Sequence, residues 1–356
     1  MEIKINKKKI SQNTKTYFIA DIAANHDGSL KKAKELIHEA KAAGADAAKF
    51  QHFSAETIVS DFGFKSLKGK LSHQSNWKKS VYKVYEDASI DLSWTPLLKK
   101  ECDKVGIDFF TSPYAFNMVD HINPYVPAYK IGSGDITWHE ILNYISKKNK
   151  PIILATGAST LNEVEMAVKI LRKNNKQICL MQCNTNYTNS DENFNYINLN
   201  VLKLYKKKFP GVLLGLSDHT TGHSTVLGAI ALGARMIEKH FTLNNNLDGP
   251  DHKFSMNPKT WRAMVISARE LEKSLGNGKK IVEKNELKPA IVQRRAIRAN
   301  INITKGTKIN KKNLSFLRPC PKDALPPFKA KYLLGKKLKK NIKKDDVIRL
   351  KDVKKF

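Results

Sequence analysis

The chain has 356 residues, of which 41% are hydrophobic, enough for one large domain with a sizeable core and one small domain. Its formal net charge is +30, but 54 lysines outnumber 9 arginines, so the bidentate fork that reads bases and phosphates is scarce. The charge is therefore read as a solvated lysine coat that draws in anionic substrates, not as a nucleic-acid surface.

Short apolar runs at 17–22, 45–50, 107–111, 128–131, 152–155, 178–182, 212–216 and 235–239 read as buried strands. Helical patterns lie between them at 29–43, 95–105, 160–173 and 221–232. Ser29 and Thr160 are placed as N-caps, and Glu163 three residues after Thr160 completes a capping box. Eight strand–helix units in this length predict a (β/α)8 TIM barrel, class α/β. One connection, 54–92, is long, with a helix expected near 77–87; long loops at this barrel face line active sites. Gly276-Asn277-Gly278 ends the pattern. The predicted division is a barrel over 1–278, a linker over 279–292 and a small, mostly β module over 293–356.

No apolar run approaches the roughly 20 residues of a bilayer span, so no membrane role is expected. Met1-Glu2-Ile3-Lys4 lacks the apolar core of a secretory signal. Cys102, Cys179, Cys183 and Cys320 match no zinc or disulfide spacing. A reduced cytoplasm is the expected home.

In such a barrel, polar residues at the C-terminal ends of strands point into the site. Those ends read Asp21, Lys49-Phe50-Gln51, Thr111-Ser112, Lys130 through Asp135, Thr156-Gly157, Cys183 through Tyr187, Ser217-Asp218-His219 and Glu238-Lys239-His240, with Asp251 beyond. Two lysines among hydroxyls suit an anion carrying phosphate and carboxylate. A glycine beside Ser133 lets backbone N–H groups approach it. His219 and His240 at adjacent strand ends, with carboxylates near, suit a Lewis-acidic divalent metal.

Taken in order, Asn25-His26-Asp27-Gly28, Lys49-Phe50-Gln51, Lys130-Ile131-Gly132-Ser133-Gly134, Ser217-Asp218-His219-Thr220, Glu238-Lys239-His240-Phe241 and Gly249-Pro250-Asp251-His252 resemble the sialic acid synthase family. Arg294-Arg295-Ala296-Ile297, Leu317-Arg318-Pro319, Leu325-Pro326-Pro327 and Leu334-Gly335-Lys336 resemble that family's antifreeze-like (SAF) domain. The resemblance implies a carbon–carbon bond-forming transferase that condenses phosphoenolpyruvate (PEP) with an open-chain N-acetylated amino sugar, such as N-acetylmannosamine, releasing phosphate. It implies that Lys49, Lys130, Ser133, Thr185 and Ser217 hold PEP. His219 and His240 would bind Mn2+, with Mg2+ or Co2+ as alternatives. Asp135 would orient or deprotonate the water that adds to PEP. Asp21, Gln51, Tyr187 and Asp251 would face the acceptor. Arg318 would reach a neighbouring subunit's barrel in a domain-swapped homodimer.

The match has departures. Asp21 and Asp135 stand where the family commonly has Glu, and a carboxylate one methylene shorter reaches about 1.5 Å less. Ala155 and Thr185 also depart from the common residues. The alternatives are a synthase for legionaminic or pseudaminic acid or for a phosphorylated acceptor, a PEP-aldose condensing barrel of another kind, or a SAF protein that binds carbohydrate or nucleic acid without catalysis. Ile131-Gly132-Ser133-Gly134 looks closer to the neuraminate and legionaminate branches.

Overall fold

Each of the eight apolar runs forms a strand. They follow an N-terminal hairpin, β1 (Glu2–Ile5) and β2 (Lys8–Ser11), which the sequence reading does not anticipate. The eight are β3 (Tyr17–Asp21), β4 (Ala47–His52), β5 (Asp108–Pro113), β6 (Tyr129–Ile131), β7 (Ile152–Ala155), β8 (Ile178–Cys183), β9 (Leu213–Asp218) and β10 (Met236–His240). They pair in parallel in the order β5-β4-β3-β10-β9-β8-β7-β6. The end strands β5 and β6 pack side by side, so the sheet curls into a nearly closed barrel. Parallel strands covered on both faces lack the polar alternation of half-exposed ones, which is why they read as apolar runs.

The computed structural model describes residues 2–67, 74 and 77–354. Both expected caps form. Ser29 Oγ accepts from the Lys32 amide at the start of the helix Leu30–Ala42, and Thr160 and Glu163 cap Leu161–Arg172 reciprocally. The long connection after β4 carries the helices Ala55–Ile58, Asp61–Ser66 and Val81–Ala88.

Two side-chain layers place the site. Inside the barrel, Tyr17, Ile19, Ala47, Phe110, Ala128, Ile153, Met181 and Met236 pack with Ile3, Ile5 and Ile10 of the hairpin. The hairpin thus plugs the barrel's N-terminal end. Their neighbours Phe18, Ala20, Ala48, Phe50, Tyr129 and Ile131 turn outward against the helices. Strand side chains alternate with period two. The next inward positions above the apolar layer are therefore Asp21, Lys49, Lys130, Cys183, Ser217 and Glu238, with His240 above Glu238.

The chain divides into two units, Met1–Gly276 and Asn277–Phe356. The second unit has its own small core, including Ile297, Ile303, Ile309, Leu333, Leu338 and Ile348. There β11 (Ala296–Ala299) pairs antiparallel with β12 (Leu314–Leu317), and isolated bridges join Ile303 to Ile342 and Leu338 to Val353. The stretch read as a linker carries the turn Lys284–Glu286 and the helix Leu287–Gln293. Pro289 sits in that helix's first turn, where its missing N–H leaves no bond unmade. Among the described residues, no helix is long and apolar enough to cross a membrane.

Candidate active site

One cavity of about 460 Å³ opens at the C-terminal mouth of the barrel. Its walls include Asp21, Lys49, Gln51, Lys130, Ser133, Asp135, Thr185, Tyr187, Ser217, His219, His240 and Asp251. Residues spread over 230 positions of sequence are gathered here because each follows or ends a parallel strand. Arg318 lies in the second unit, exposed, directly after β12.

The floor of the cavity is ionic. Glu238 Oε1 lies 3.2 Å from Lys130 Nζ and 3.5 Å from Lys49 Nζ, and it accepts a hydrogen bond from Ser217 Oγ at 3.2 Å. Lys49 Nζ also meets Asp21 Oδ2 at 2.6 Å. All four charged side chains are at most 5% exposed. Burial alone would raise the Glu238 carboxyl, but the ammonium groups of Lys130 and Lys49 outweigh it and hold it at about 2. Burial likewise works against the Lys49 ammonium, and Asp21 and Glu238 overcome it, raising its pKa. Lys49 thus stays charged and aimed. Glu238 Oε2 is buried with no hydrogen-bond partner.

Glu238 is the site residue the sequence reading leaves without a role. The signal was present: counting back one pleat from His240 lands on Glu238, whereas Lys239 falls on the opposite face. There Lys239 Nζ contacts Asp218 Oδ2 and donates to the Thr220 carbonyl at 2.6 Å, while Thr225 Oγ1 donates to Asp218 at 2.8 Å. This network lies outside the barrel wall and is fully buried.

Above the ionic floor sit the two histidines, with ring centroids 5.3 Å apart. The Asn184 carbonyl accepts from His219 Nδ1 at 2.8 Å, which fixes the tautomer and leaves the Nε2 lone pair free. His240 Nε2 lies 3.6 Å from Asp21, and its buried Nδ1 has no hydrogen-bond partner, with Asp251 at 3.9 Å. Burial holds His219 down at about 3, with His240 adding repulsion, and holds His240 at about 4 despite the pull of Asp251. Both imidazoles are therefore held neutral at physiological pH. Among the described residues, no three His, Cys, Asp or Glu side chains converge on one point. The donor set fits a divalent ion held by two imidazoles with open positions for substrate and water.

Ser133 and Asp135 stand on a short 3-10 turn after β6. The Gly157 amide donates to Ser133 Oγ at 2.9 Å, and a Cβ on Gly157 would fall 2.5 Å from Thr185 Cγ2 and 3.0 Å from Ser133 Oγ. Close approach is thus required at Gly157, whereas Gly134 has open space around it. Burial pushes the Asp135 carboxyl up to about 6, with Lys130 pulling the other way.

The cavity also has a wall the sequence reading assigns only in outline, as a long loop. Phe53, Ile58, Trp77, Val84 and Tyr85 come from the segment after β4, and Tyr114 follows β5.

Residues 36–280 match the NeuB family and residues 294–354 match the SAF domain. The chain is 36% identical to the N,N'-diacetyllegionaminic acid synthase of Campylobacter jejuni, over 94% of this chain and 99% of that one. It is 35% identical to a pseudaminic acid synthase of the same species, over 94% and 96%. The crystal structure of the N-acetylneuraminic acid synthetase of Leptospira borgpetersenii superposes with a TM-score of 0.71 at 29% identity, covering 81% of this chain and 95% of that one. The chain belongs to the NeuB family, with a SAF domain following its barrel.

Proposed function

We propose that the chain is a nonulosonate synthase, a transferase that joins C3 of PEP to the aldehyde carbon of an open-chain N-acylated amino sugar. The observation that carries this reading is the buried set Lys49, Lys130, Ser217 and Glu238 directly beneath the His219–His240 pair. It is supported by membership of the NeuB family, whose relatives named above make three different nonulosonic acids.

Lys49, Lys130, Ser133, Thr185 and Ser217 bind the phosphate and carboxylate of PEP. Glu238 keeps the two ammonium groups oriented before substrate arrives, so little reorganisation remains at the moment of reaction. His219 and His240 would hold a divalent ion, Mn2+ by preference, which when bound supplies Lewis-acid polarisation of the aldehyde. As the C3–aldehyde bond forms, positive charge grows at C2 of PEP. Asp135 takes a proton from the water that adds there; a carboxylate near 6 is ionised at neutral pH yet basic enough to do so. The C2–O bond then breaks and phosphate leaves. Asp21, Gln51, Tyr187 and Asp251 position the acceptor. The working unit is a homodimer in which Arg318 completes the neighbouring barrel's site. The reduced state of Cys102, Cys179, Cys183 and Cys320 suits a cytoplasmic enzyme.

The test is PEP turnover by the purified chain with Mn2+ and N-acetylmannosamine. The expected result is one phosphate released per nonulosonic acid detected by mass. Absence of PEP consumption across a panel of N-acylated hexoses would overturn the reading.

A further inference from the structure

We infer that His252 and Asp27 are positioning residues: they clamp the connection after β10 to the connection after β3 and so aim the Asp251 carboxylate at the acceptor. This rests on the proposed condensation, in which Asp251 faces the acceptor, and adds what holds that carboxylate in place.

Asp251 lacks a strand to fix it. Asp21, Lys49, Lys130 and Glu238 stand on β3, β4, β6 and β10, whereas Asp251 lies in the long connection 241–257 before the helix Pro258–Ser274. Its Oδ2 nevertheless accepts from the Ala24 amide at 3.2 Å and lies 3.9 Å from His240 Nδ1. A loop carboxylate keeps such a geometry only with a rigid support behind it.

The support is the next residue. His252 is fully buried and both its ring nitrogens are paired. Asp27 Oδ1, an acceptor only, takes the proton of Nε2 at 3.1 Å, and Thr242 Oγ1 meets Nδ1 at 2.6 Å. Asp27 in turn pairs with Lys32. Thr242 is two residues beyond His240, so the ring joins the end of β10 to both connections. A second tie runs beside the first. Asn25 Nδ2 donates to the Phe241 carbonyl at 2.9 Å and to Ser255 Oγ at 3.0 Å, and Ser255 Oγ donates to the Asp251 carbonyl at 2.6 Å. Asp251 and His252 are thus pinned through both main chain and imidazole.

Gly249 seats on the same ring. A Cβ there would fall 2.6 Å from His252 Cδ2 and 3.0 Å from its Nε2, so the backbone leading into Asp251 needs a glycine for this close approach. Asp27, His252 and Thr242 also have the order of a nucleophilic triad, but Thr242 is fully buried and none of the three is among the described residues lining the cavity. The arrangement therefore acts through Asp251 and not on substrate.

The experiment measures KM for acceptor and for PEP separately, with the full-length chain, Mn2+ and N-acetylmannosamine or the best-used N-acylated hexose. Two variants loosen the ring from different sides. Asp27→Ala removes a side chain that is 34% exposed, and Gly249→Ala pushes on the imidazole, so the result does not hang on one protein folding. Each should raise the acceptor KM about tenfold, the size of one weakened charge-assisted contact, with the PEP KM changed less than about twofold. Asp27→Asn keeps an oxygen acceptor for His252 and should stay within about twofold of wild type on both. In an Asp251→Asn background, Asp27→Ala should add less than about twofold, because the residue it acts through is already lost. An unchanged acceptor KM, an equal rise in both KM values, or the full Asp27→Ala effect in that background overturns the inference and leaves the condensation standing. A wild-type chain that consumes no PEP with any N-acylated hexose overturns the condensation and this inference with it.

Discussion

Glu238 and Lys130 meet at 3.2 Å on the floor of the cavity, so the cation assigned to PEP already has an internal anion beside it. Glu238 thus sets both the stability of the empty site and the charge the substrate encounters. Glu238→Gln leaves Lys130 and Lys49 under-compensated in a buried position. The variant should lose about 3–5 kcal/mol of stability, the range for breaking a buried pair at one end. PEP should restore part of that loss, because its own anions replace the missing carboxylate. The check is thermal unfolding with and without PEP. The variant's PEP-induced rise in Tm should exceed that of the wild type, and an equal rise would show that Glu238 and PEP do not share the lysines.

Asp135 gives a pH signature. Its folded pKa is raised from 3.8 to about 6 by burial, so the folded state holds this proton more tightly than the unfolded chain does. Its contribution to stability is full below about pH 4, declines as pH rises through the folded value, and is flat above it. A base must be ionised, so kcat/KM for PEP should rise with slope one up to about pH 6 and then level off. Asp135→Asn should abolish turnover yet stabilise the protein at pH 7.5 by about 1–3 kcal/mol, the size of a shift of roughly two pKa units. A variant both inactive and destabilised would assign Asp135 a structural role.

The legibility of the site follows from the same layering. Buried parallel strands are apolar runs, so the barrel and its polar strand ends could be read directly from the sequence, and the caps at Ser29 and Thr160 follow from local chemistry. Glu238 was visible but unassigned, because separating it from Lys239 requires the pleat to be counted strictly from His240. The N-terminal hairpin was not legible: Glu2-Ile3-Lys4-Ile5 is four residues long, and its apolar side matters only because Ile3 and Ile5 close the barrel. The helix Leu287–Gln293 was hidden by Pro289, which reads as a breaker unless its place in the first turn is known. The aromatic wall of the cavity is a tertiary feature. Phe53 and Tyr114 lie on different connections, and nothing local marks them as neighbours.

The buried pair Lys239–Asp218 lies behind the barrel wall, between the strand ends that carry His219 and His240. Lys239→Met strands a buried carboxylate and should cost about 3–5 kcal/mol. Adding Asp218→Asn should recover part of this, giving a favourable coupling in a double-mutant cycle. Urea unfolding of the four proteins measures it. Strict additivity would show that the pair does not interact.

The histidine pair is tested by metal binding, apart from turnover. His240→Ala should remain folded by circular dichroism and lose most Mn2+ affinity in a calorimetric titration. In wild type, chelation should abolish PEP turnover and Mn2+ should restore it. Full Mn2+ affinity in His240→Ala would remove His240 from the metal site.

Sharing of sites between subunits has its own test. Arg318→Ala and His240→Ala chains are mixed after subunit exchange has been confirmed by mass. If Arg318 serves the neighbouring barrel, half of the sites in each heterodimer carry neither defect and activity returns. If it serves its own barrel, every site keeps one defect and mixing restores nothing.

The central claim is that water adds at C2 of PEP and that phosphate leaves with its bridging oxygen. Turnover in water enriched in oxygen-18, with Mn2+ and a neutral N-acylated amino sugar, tests it most directly. The phosphate released should carry no label, as read by mass spectrometry, while a nonulosonic acid accumulates in equal amount. Labelled phosphate without carbon–carbon bond formation would mean that the site hydrolyses PEP at phosphorus, and the condensation account would be wrong.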